Sequence, residues 1–350
     1  MPQQLNIAQP LLQWYYKNRR ILPFREDPTP YHIWLSEIML QQTRVAAALD
    51  YYNRFIQELP DIASLAACDE EKLHKLWEGL GYYSRVRNLQ KAAQVVMQQY
   101  NGELPDNYEK LLALPGIGPY TAGAISSIAF NLPHVAVDGN VLRVFSRLLA
   151  FPQNVEEPTA KSFLTNQVQD QQPSNLPGDF NQALMELGAL VCLPGTPKCE
   201  ICPLQNQCRG FKQGIAQNLP YKEKKPPKKI EEYTVLVVQV GSDAFVLQQR
   251  PPKGLLAGLW QPVLYPGHLA LNEAELKLKE VLPQVQLVQT LPASEHVFTH
   301  KVWKMQGWLF YSPPANAPKG YILASSQQIL NQLTLPGAFK AYLPYLLQSL

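Results

Sequence analysis

Four of the five cysteines of this 350-residue chain lie within one short stretch. They are Cys192, Cys199, Cys202 and Cys208, in a C-x6-C-x2-C-x5-C spacing. In a reducing compartment, four cysteines so close together indicate a metal site rather than disulfides. Four thiols bound to one metal centre would restrict the fold around them more than any other feature of the sequence. Zinc sites usually pair two short C-x-x-C units, and only one such unit is present. The spacing therefore favours a 4Fe–4S cluster, with zinc as the alternative.

The length and composition are typical of a globular protein with more than one domain. Hydrophobic residues make up 46% and charged residues 17% of the chain, which excludes a largely disordered chain. The sequence has no run of about 18 apolar residues, and its first residues lack the basic and apolar regions of a secretory signal. We therefore expect a cytoplasmic protein and a monomer, with no membrane partner.

The spacing of apolar residues predicts two regions of different structure. From residue 5 to about 211, apolar residues recur every three or four positions, which predicts helices. The clearest predicted helices lie at 34–56, 70–79, 85–99, 121–129 and 140–150. The lysine- and proline-rich segment 222–229 cannot form a core, so it is predicted to be an exposed hinge or, alternatively, a strap that touches phosphates.

Beyond this linker the apolar period becomes two. Residues 234–240 and 244–248 flank Gly-Ser-Asp, which predicts a β-hairpin. A helix is predicted at 273–282, one or two strands at 297–311 and a closing helix at 338–350. The predicted organisation is a mainly α region at 1–221, a linker at 222–232 and an α+β domain at 233–350.

The charge alone does not indicate a nucleic-acid partner. The net charge is +3, but residues 1–221 carry 18 Lys and Arg against 20 Asp and Glu, a formal −2. A DNA-binding protein of this composition must rely on local donors and on shape.

Two glycines lie in a turn between helical patterns, in the sequence Leu114-Pro-Gly-Ile-Gly118. Gly116 and Gly118 would let the backbone approach a partner closely, and the N–H groups at the start of the next helix suit a phosphate. The alternative is a tight turn between helices that binds nothing. Asp138 follows 20 residues after Gly118.

This turn, the aspartate after it and the cysteine spacing together resemble the endonuclease III superfamily of DNA glycosylases. The resemblance implies a helix-hairpin-helix at about 109–128 that binds DNA. It also implies a catalytic role for Asp138 and a loop at 192–208 that wraps a structural 4Fe–4S cluster. Double-stranded DNA would then be the partner, and the bacterial nucleoid the location.

Two carboxylates stand out for catalysis. Glu37 lies in the segment 33–40, which is apolar on nearly all sides and has no lysine within four residues of the glutamate. Burial disfavours the charged form, so Glu37 is either in a buried ion pair or protonated, and a neutral carboxylic acid near pH 7 suits a general acid. Asp138 precedes a helix that begins near Val141, so it could be a simple N-cap. A helix start also favours an ionised carboxylate.

Cleavage of an N-glycosidic bond to adenine needs both kinds of carboxylate. A general acid protonates the purine as the bond breaks, and an ionised carboxylate stabilises the sugar cation, by analogy with glycoside hydrolysis. We assign Glu37 as the acid and Asp138 as the stabilising carboxylate. Asn140 would orient Asp138 or contact the DNA backbone, and a water activated by one of the two carboxylates would be the nucleophile.

Further stretches resemble the MutY family of adenine DNA glycosylases, and this resemblance covers nearly all of residues 5–211. They are Arg-Arg-Ile-Leu-Pro-Phe-Arg at 19–25, the segments 34–44, 79–83 and 137–140, and Met-Glu-Leu-Gly at 185–188. Phe24 stands where that family commonly has tryptophan. Bifunctional members of the superfamily carry a Schiff-base lysine where this chain has Tyr120, so a lyase reaction lacks its nucleophile.

The MutY resemblance also implies residues that contact DNA and the target base. Gln42 and Tyr82 would insert into the duplex beside the lesion. Arg25, Glu186 and Tyr120 would line the adenine pocket, and Arg20 belongs to the same substrate- and DNA-binding set. The alternatives are core packing for Tyr82, with Tyr83 as the other candidate for that role, and an ordinary helix surface position for Glu186.

The same resemblance implies a Nudix-like C-terminal domain that recognises 8-oxoguanine. The segment 254–262 fits its loop and strand, but Glu273, Glu275 and Glu280 do not form the glutamate-dense helix that holds divalent metal for hydrolysis. The segment 296–300 resembles the family's Phe-Ser-His recognition motif, as Phe298, Thr299 and His300. As a strand it would place His296, Phe298 and His300 on one face, and the alternative is a sheet face with two satisfied histidines.

The leading interpretation is a monofunctional adenine DNA glycosylase that acts on adenine opposite 8-oxoguanine or guanine. One alternative is a sister glycosylase for oxidised pyrimidines or thymine mismatches, which Tyr120 and the C-terminal domain disfavour. The other is a catalytically silent DNA-binding or redox-sensing iron–sulfur protein.

Overall fold

The computed structural model describes residues 5–224 and 226–348. The chain divides into two compact units. The first consists of residues 1–67 and 87–225, and the second of residues 68–86 and 226–350. None of the described helices combines the length and the hydropathy required to cross a bilayer.

Residues 5 to about 211 are mainly helical, as predicted. Their α-helices are α1 (Ala8–Asn18), α2 (Pro23–Glu26), α3 (Pro30–Leu40), α4 (Val45–Glu58), α5 (Ile62–Ala67), α6 (Glu70–Leu76), α7 (Ser84–Gln99), α8 (Tyr108–Leu112), α9 (Pro119–Ile128), α10 (Gly139–Leu149), α11 (Pro158–Gln169), α12 (Pro177–Leu190) and α13 (Arg209–Lys212). Short 3₁₀ helices lie at Cys199–Ile201, Gln205–Gln207 and Ala216–Asn218. Of the α-helices, α6 lies in the second unit.

The predicted helix at 34–56 is two helices, α3 and α4. Helix α3 begins at Pro30 after Thr29, whose side chain accepts a hydrogen bond from the His32 N–H. It ends before Gln42, which has a φ of 58° in the left-handed region, and a single left-handed residue interrupts a right-handed helix. The apolar spacing continued across this break, so the sequence pattern did not reveal it.

One core of the first unit forms where α1, α10 and α12 pack together. Fully buried side chains from the three helices include Leu11, Phe145 and Leu184. Helix α10 is strongly amphipathic, so its apolar face enters this core while its first residues remain free for other roles. Three of the clustered cysteines, Cys192, Cys202 and Cys208, pack against the same core.

The second unit contains a six-stranded mixed sheet, which confirms the predicted α+β class. Its strands are β1 (Lys229–Val240), β2 (Ala244–Gln249), β3 (Trp260–Pro266), β4 (Gln286–Val297), β5 (Lys301–Ser312) and β6 (Ile322–Ser325). The order is β4-β5-β1-β3-β2-β6, with β1 and β5 parallel and the other neighbours antiparallel. The predicted hairpin joins β1 and β2, where Val240 pairs with Ala244.

Helices cover both faces of this sheet. Helix α14 (Leu271–Lys279) packs on one face, and α15 (Ser326–Asn331) with α16 (Leu343–Leu347) on the other. Alternate residues of β1 enter the two cores, Val235 and Val237 on one side and Leu236 and Val238 on the other. The predicted closing helix at 338–350 is a 3₁₀ helix, Gly337–Tyr342, followed by α16, and its last two positions lie outside the described residues.

The prediction that His296, Phe298 and His300 share one strand face is wrong. Strand β4 ends at Val297 and β5 begins at Lys301, so residues 298–300 form the turn of a hairpin. The Phe298 N–H donates to the Lys301 carbonyl at 2.9 Å, which leaves Thr299 and His300 at the tip. The residue pattern resembled a continuous strand because the segment has none of the Gly, Asn or Asp residues that usually mark a hairpin turn.

Candidate active site

Glu37 lies within α3 and is buried, with 8% of its surface exposed. Its surroundings are the buried residues of α3, which include Trp34, Ile38 and Met39. The pKa of Glu37 is raised to about 7, mainly by burial and in addition by the charge of Asp138. A hydrogen bond from Tyr120 and the charge of Arg25 act in the opposite direction. About half of the Glu37 carboxyl groups therefore hold a proton near neutral pH.

Asp138 is the N-cap of α10, and it also faces the site. Its Oδ1 accepts from the Val141 N–H at 2.8 Å, and its Oδ2 accepts from the Asn140 side-chain amide at 2.6 Å. Burial raises the pKa of Asp138 above its usual value, while these hydrogen bonds and the charge of Arg143 limit the rise. The N-cap interpretation and the functional interpretation are thus compatible, because the bonds that cap the helix also fix the carboxylate.

Tyr120 is the second residue of α9 and bridges towards Glu37. Its hydroxyl donates to Oε2 of Glu37 at 2.6 Å and lies 3.2 Å from Sδ of Met185. Burial, together with the charges of Glu37 and Asp138, raises the pKa of Tyr120 well above its usual value. The hydroxyl therefore stays protonated and remains a donor to Glu37.

Glu37 and Asp138 line the same cavity. Its volume is about 440 Å³, within the roughly 300–1,000 Å³ of small-molecule sites. The other lining residues come from the end of α3, the start of α9 and the loop before α10, namely Leu40, Gln41, Gln42, Gly118, Pro119, Tyr120, Thr121 and Gly139. The cavity therefore brings a proton-bearing acid and a fixed carboxylate to one space.

Arg20 and Arg25 both form ion pairs with the buried carboxylate of Glu186. Glu186 is 1% exposed and accepts from Arg20 and Arg25 at 2.8 to 3.0 Å. Burial alone would raise its pKa, but these hydrogen bonds outweigh burial and hold it at about 2. The surface alternative for Glu186 is therefore wrong. These three side chains are not among the described residues that line the 440 Å³ cavity.

A chain of hydrogen bonds leads from Asp138 to the cysteine loop. Asn140 donates to Asp138 and accepts from Arg143 at 2.8 Å. Arg143 also donates to the backbone carbonyls of Gly188 and Cys192, each at 2.8 Å. Sequence reasoning missed Arg143. The signal available was its position three residues after Asn140, on the same face of a helix.

The four clustered cysteines line one apolar cavity. Arg147 lies against it and donates to the Cys192 Sγ at 3.2 Å, and also to backbone carbonyls of the same loop. The lining includes Cys192, Cys199, Cys202 and Cys208. Within residues 5–224 and 226–348, no three His, Cys, Asp or Glu side chains converge closely enough to hold a single metal ion.

The glycine-containing turn before α9 has the geometry that its sequence predicted. Gly116 has a φ of 77°, and a Cβ there would lie 2.6 Å from the Cβ of Asn88, so only glycine fits. Gly118 is the N-cap of α9 and has extended backbone. Gly188 shows a second close approach, since a Cβ there would lie 2.6 Å from the Cβ of Asn140.

The two residues implied to insert into DNA share a rare backbone conformation. Gln42, in the first unit, has a φ of 58°, and Tyr82, in the second unit, has a φ of 49°. Left-handed non-glycine residues cost free energy and are enriched at functional sites. Tyr82 is 48% exposed, so the alternative that it packs in the core is wrong, whereas Tyr83 is 6% exposed and does so.

Within the second unit, Tyr82 contacts the hairpin turn between β4 and β5. Its hydroxyl and that of Thr299 are 2.9 Å apart. Arg85 stacks over the Tyr82 ring at 5.5 Å and donates to the carbonyls of Leu80 and Gly81, which braces the loop before Tyr82. Phe298 packs edge-on against Trp303, while His300 is exposed.

Comparisons with known proteins agree with this arrangement. Residues 35–166 match the HhH-GPD superfamily of base excision DNA repair proteins, and residues 234–345 match the NUDIX domain. The adenine DNA glycosylase of Mus musculus is 37% identical over 372 residues, which cover 89% of this chain and 72% of that protein. That of Buchnera aphidicola subsp. Baizongia pistaciae is 33% identical, covering 83% of this chain and 82% of that protein.

Solved structures resemble the helical part of the chain. A thermostable thymine-DNA glycosylase aligns with a TM-score of 0.55 at 27% identity, covering 59% of this chain and 95% of that one. Endonuclease III, from a non-covalent DNA complex, aligns with a TM-score of 0.51 at 24% identity and shares the fold; it covers 60% of this chain and 95% of that one. The helix-hairpin-helix and Nudix-like fold classes expected from the sequence are thereby confirmed.

Proposed function

This chain belongs to the adenine DNA glycosylase family, and we propose that the adenine it removes is one mispaired with 8-oxoguanine or guanine. The enzyme is a DNA N-glycosylase, so its target base must leave the duplex before the bond is cut. The observation that carries the proposal is the pair of Glu37 and Asp138 on one cavity, with the pKa of Glu37 raised to about 7.

The proposed reaction divides the work between the two carboxyl groups. Glu37 donates its proton to the adenine ring, and the bond electrons move into the purine as the N-glycosidic bond breaks. The sugar becomes an oxocarbenium-like cation, which the Asp138 carboxylate stabilises. Water then adds to the sugar, and its proton passes to one of the two carboxylates. The products are free adenine and an abasic site.

The cavity supports hydrolysis without strand cleavage. A glycosylase that also cuts the strand needs an amine to form a Schiff base with the sugar. The described residues that line the cavity include no lysine, and Tyr120 occupies the position that the resemblance gives to that lysine. The hydroxyl of Tyr120 instead donates to Glu37.

The proposed DNA contacts rest on backbone geometry. The positive φ of Gln42 and Tyr82 supports their role as side chains that enter the duplex while the base is extruded. The N–H groups at the start of α9, after Gly116 and Gly118, suit a DNA phosphate. Arg20, Arg25 and Glu186 do not line the cavity, so the geometry gives no support to the expectation that Arg25 and Glu186 contact adenine.

We further propose that residues 233–350 recognise 8-oxoguanine and do not hydrolyse nucleotides. Glu273 caps its own helix, since its carboxylate accepts from the Ala270 N–H at 3.0 Å. Glu275 pairs with Lys279 at 2.6 Å. Carboxylates engaged in this way do not form a set of oxygen ligands for a divalent metal. The turn that carries Phe298, Thr299 and His300 would contact the 8-oxoguanine.

We propose that Cys192, Cys199, Cys202 and Cys208 hold a 4Fe–4S cluster. Four thiols around one apolar cavity fit such a cluster. A single zinc ion needs its sulfurs about 2.3 Å away, and no group of three or more described His, Cys, Asp or Glu side chains is placed to hold one metal ion. A larger cluster takes its cysteines further apart. When bound, it would tie down the loop and present nearby basic residues to phosphates.

The cluster proposal has a direct chemical test. Purified protein should be brown and contain about four irons per chain. A colourless protein that carries zinc instead would overturn the proposal without affecting the assignment of Glu37 and Asp138.

Single-turnover excision tests the substrate proposal. The full chain, in excess, is incubated with duplexes that pair adenine with 8-oxoguanine, guanine or thymine, and with a duplex that pairs thymine with guanine. We expect adenine release opposite 8-oxoguanine and guanine only. The variant Asp138→Asn keeps an N-cap oxygen for Val141 but loses the charge, so it should fold and lose most of the rate. Release of thymine without adenine would refute the proposal.

A further inference from the structure

We propose that Lys228 is a positioning residue for the lesion-recognition turn and that it sets the preference for 8-oxoguanine over guanine. Its ammonium group donates to the Phe298 carbonyl at 2.7 Å. The inference rests on the proposed function, because it assigns to that turn the reading of the base opposite adenine. Lys228 belongs to the segment that the sequence predicted as an exposed linker.

The turn lacks one of its own backbone hydrogen bonds. In a closed two-residue hairpin, the residues on either side of the tip exchange two hydrogen bonds, and here the Phe298 N–H donates to the Lys301 carbonyl. Among the described backbone hydrogen bonds, none reaches the Phe298 carbonyl in return. Many turns are open in this way. Lys228 supplies the missing donor, and it does so with a charge-assisted bond.

Sheet topology brings Lys228 to this place. Strands β1 and β5 are parallel and in register from their first residues, with Lys229 opposite Lys301. The residue before β1 therefore lies beside the residues before β5, which are the residues of the turn. Lys228 is thus placed next to the turn, although it lies 70 residues from Phe298 in sequence.

A second distant residue contacts the next residue of the turn. The Thr299 hydroxyl lies 2.9 Å from the hydroxyl of Tyr82. Lys228 therefore fixes the backbone immediately before Thr299, while Tyr82 engages the Thr299 side chain. If the turn is free to rotate, the Thr299 hydroxyl loses its defined direction, and a hydrogen bond that distinguishes the two purines becomes weaker.

The neighbouring Lys229 provides a matched control. Its side chain is 76% exposed, and its ammonium lies 3.5 Å from Glu231. Glu231 is already held by Lys301 at 2.8 Å and by the Trp303 indole at 3.1 Å. Replacing Lys229 removes the same charge from the same surface without removing a bond to the turn.

The experiment measures single-turnover adenine excision opposite 8-oxoguanine and opposite guanine with the full chain, for Lys228→Met, Lys228→Arg and Lys229→Met. We expect Lys228→Met to lower the ratio of the two rate constants by about threefold to tenfold, the usual range for an exposed charge-assisted bond. The arginine variant should recover most of the ratio, and Lys229→Met should leave it unchanged. The two methionine variants should lower the affinity for DNA by the same factor, and each should reduce the dependence of that affinity on salt concentration by the same amount.

Two results would overturn the inference. One is a ratio of excision rate constants that is unchanged in Lys228→Met. The other is a ratio that falls equally in Lys228→Met and Lys229→Met, because the effect would then come from net charge and not from the bond to the turn. Failure of the proposed function is distinguishable from both, because it appears as a wild-type protein that releases no adenine or shows no preference between the two duplexes.

Discussion

A carboxylic acid can donate a proton near neutral pH only if its surroundings oppose its ionisation. Glu37 meets this condition mainly through burial inside α3, and the charge of Asp138 adds to it. Asp138 differs because three hydrogen bonds from Val141 and Asn140 favour its charged form. Burial raises the pKa of Asp138 as well, but these hydrogen bonds oppose that rise, so Asp138 is the better candidate for the stabilising anion and Glu37 for the acid.

The raised pKa of Glu37 has a cost in stability that depends on pH. The folded state keeps the proton up to a pKa of about 7, whereas the unfolded chain releases it near the ordinary glutamate pKa of 4.5. Stability is therefore lost as the pH rises through this range, by about 3 kcal/mol in total. We expect Glu37→Gln to be more stable than wild type at about pH 8 and similar at about pH 5. Thermal unfolding measures this, and an equal difference at both values would contradict it.

Tyr120 also influences the pKa of Glu37. Its hydrogen bond lowers the pKa of Glu37 by stabilising the carboxylate, so Tyr120→Phe should raise that pKa. The loss of excision rate on the alkaline side should then occur at higher pH than in wild type. Met185→Leu is the matched control, because it removes the other neighbour of the hydroxyl and leaves the bond to Glu37. If the excision rate of Tyr120→Phe falls at the same pH as that of wild type, or at a lower pH, this role is contradicted.

At the scale of elements, α10 links the reaction site to the cysteine loop. Asp138 caps the helix, Asn140 follows in its first turn, and Arg143 and Arg147 point from successive turns to the loop. The amphipathic pattern of 140–150 predicted this helix from the sequence. The pattern could not show that its two arginines are buried, since arginine is usually exposed.

Arg143 should be essential for placing Asp138. Arg143→Leu removes three hydrogen bonds at 2.8 Å and leaves the carbonyls of Gly188 and Cys192 without this donor. We expect a stability loss of about 2–4 kcal/mol and a lower excision rate per active molecule, determined by burst titration. Lys161→Met, at an exposed position of α11, is the control for the loss of charge. A normal rate per active molecule would show that Arg143 has only a structural role.

The contact between Tyr82 and Thr299 predicts energetic coupling between the inserted side chain and the recognition turn. Tyr82→Phe and Thr299→Val each remove one of the two hydroxyls that lie 2.9 Å apart. Each variant should lower the preference for 8-oxoguanine, and the double variant should be little worse than either single one. The rates opposite guanine serve as the internal control. Strictly additive effects would mean that the two hydroxyls act independently.

For the whole molecule, the sequence predicted the helical region, the α+β region and the switch from helical to strand periodicity, together with the elements whose period is clear. Strands β4 and β6 and helix α15 had no predicted counterpart. The sequence also predicted Glu37, Asp138 and Tyr120 as site residues. A glutamate among apolar neighbours, and an aspartate or tyrosine within a short family motif, can be recognised from adjacent residues alone. Contacts between distant segments have no local signal. The bond from Lys228 to the turn at 298–300 is such a contact, whereas the turn itself and the break at Gln42 were missed because their residues carry no turn signal.

The grouping of residues 68–86 with the C-terminal half is a further feature that local patterns do not reveal. Lys75 donates to the carbonyls of Ile329 and Leu333, and Glu78 accepts from the Leu335 N–H. The sequence predicted a helix at 70–79 but not its contacts, because the residues that it contacts lie some 250 residues away. Tyr82 and Thr299 consequently belong to one compact unit.

The pH dependence of single-turnover adenine excision, measured on the full chain and on Glu37→Gln with an adenine:8-oxoguanine duplex, tests the central claim most directly. We expect the wild-type rate to fall as the pH rises through about 7, where Glu37 loses its proton. The variant should be slower by about a hundredfold to ten-thousandfold and should lack this fall. A wild-type rate that is flat through neutral pH, together with a variant that excises adenine at the wild-type rate, would contradict the assignment of Glu37 as the proton donor.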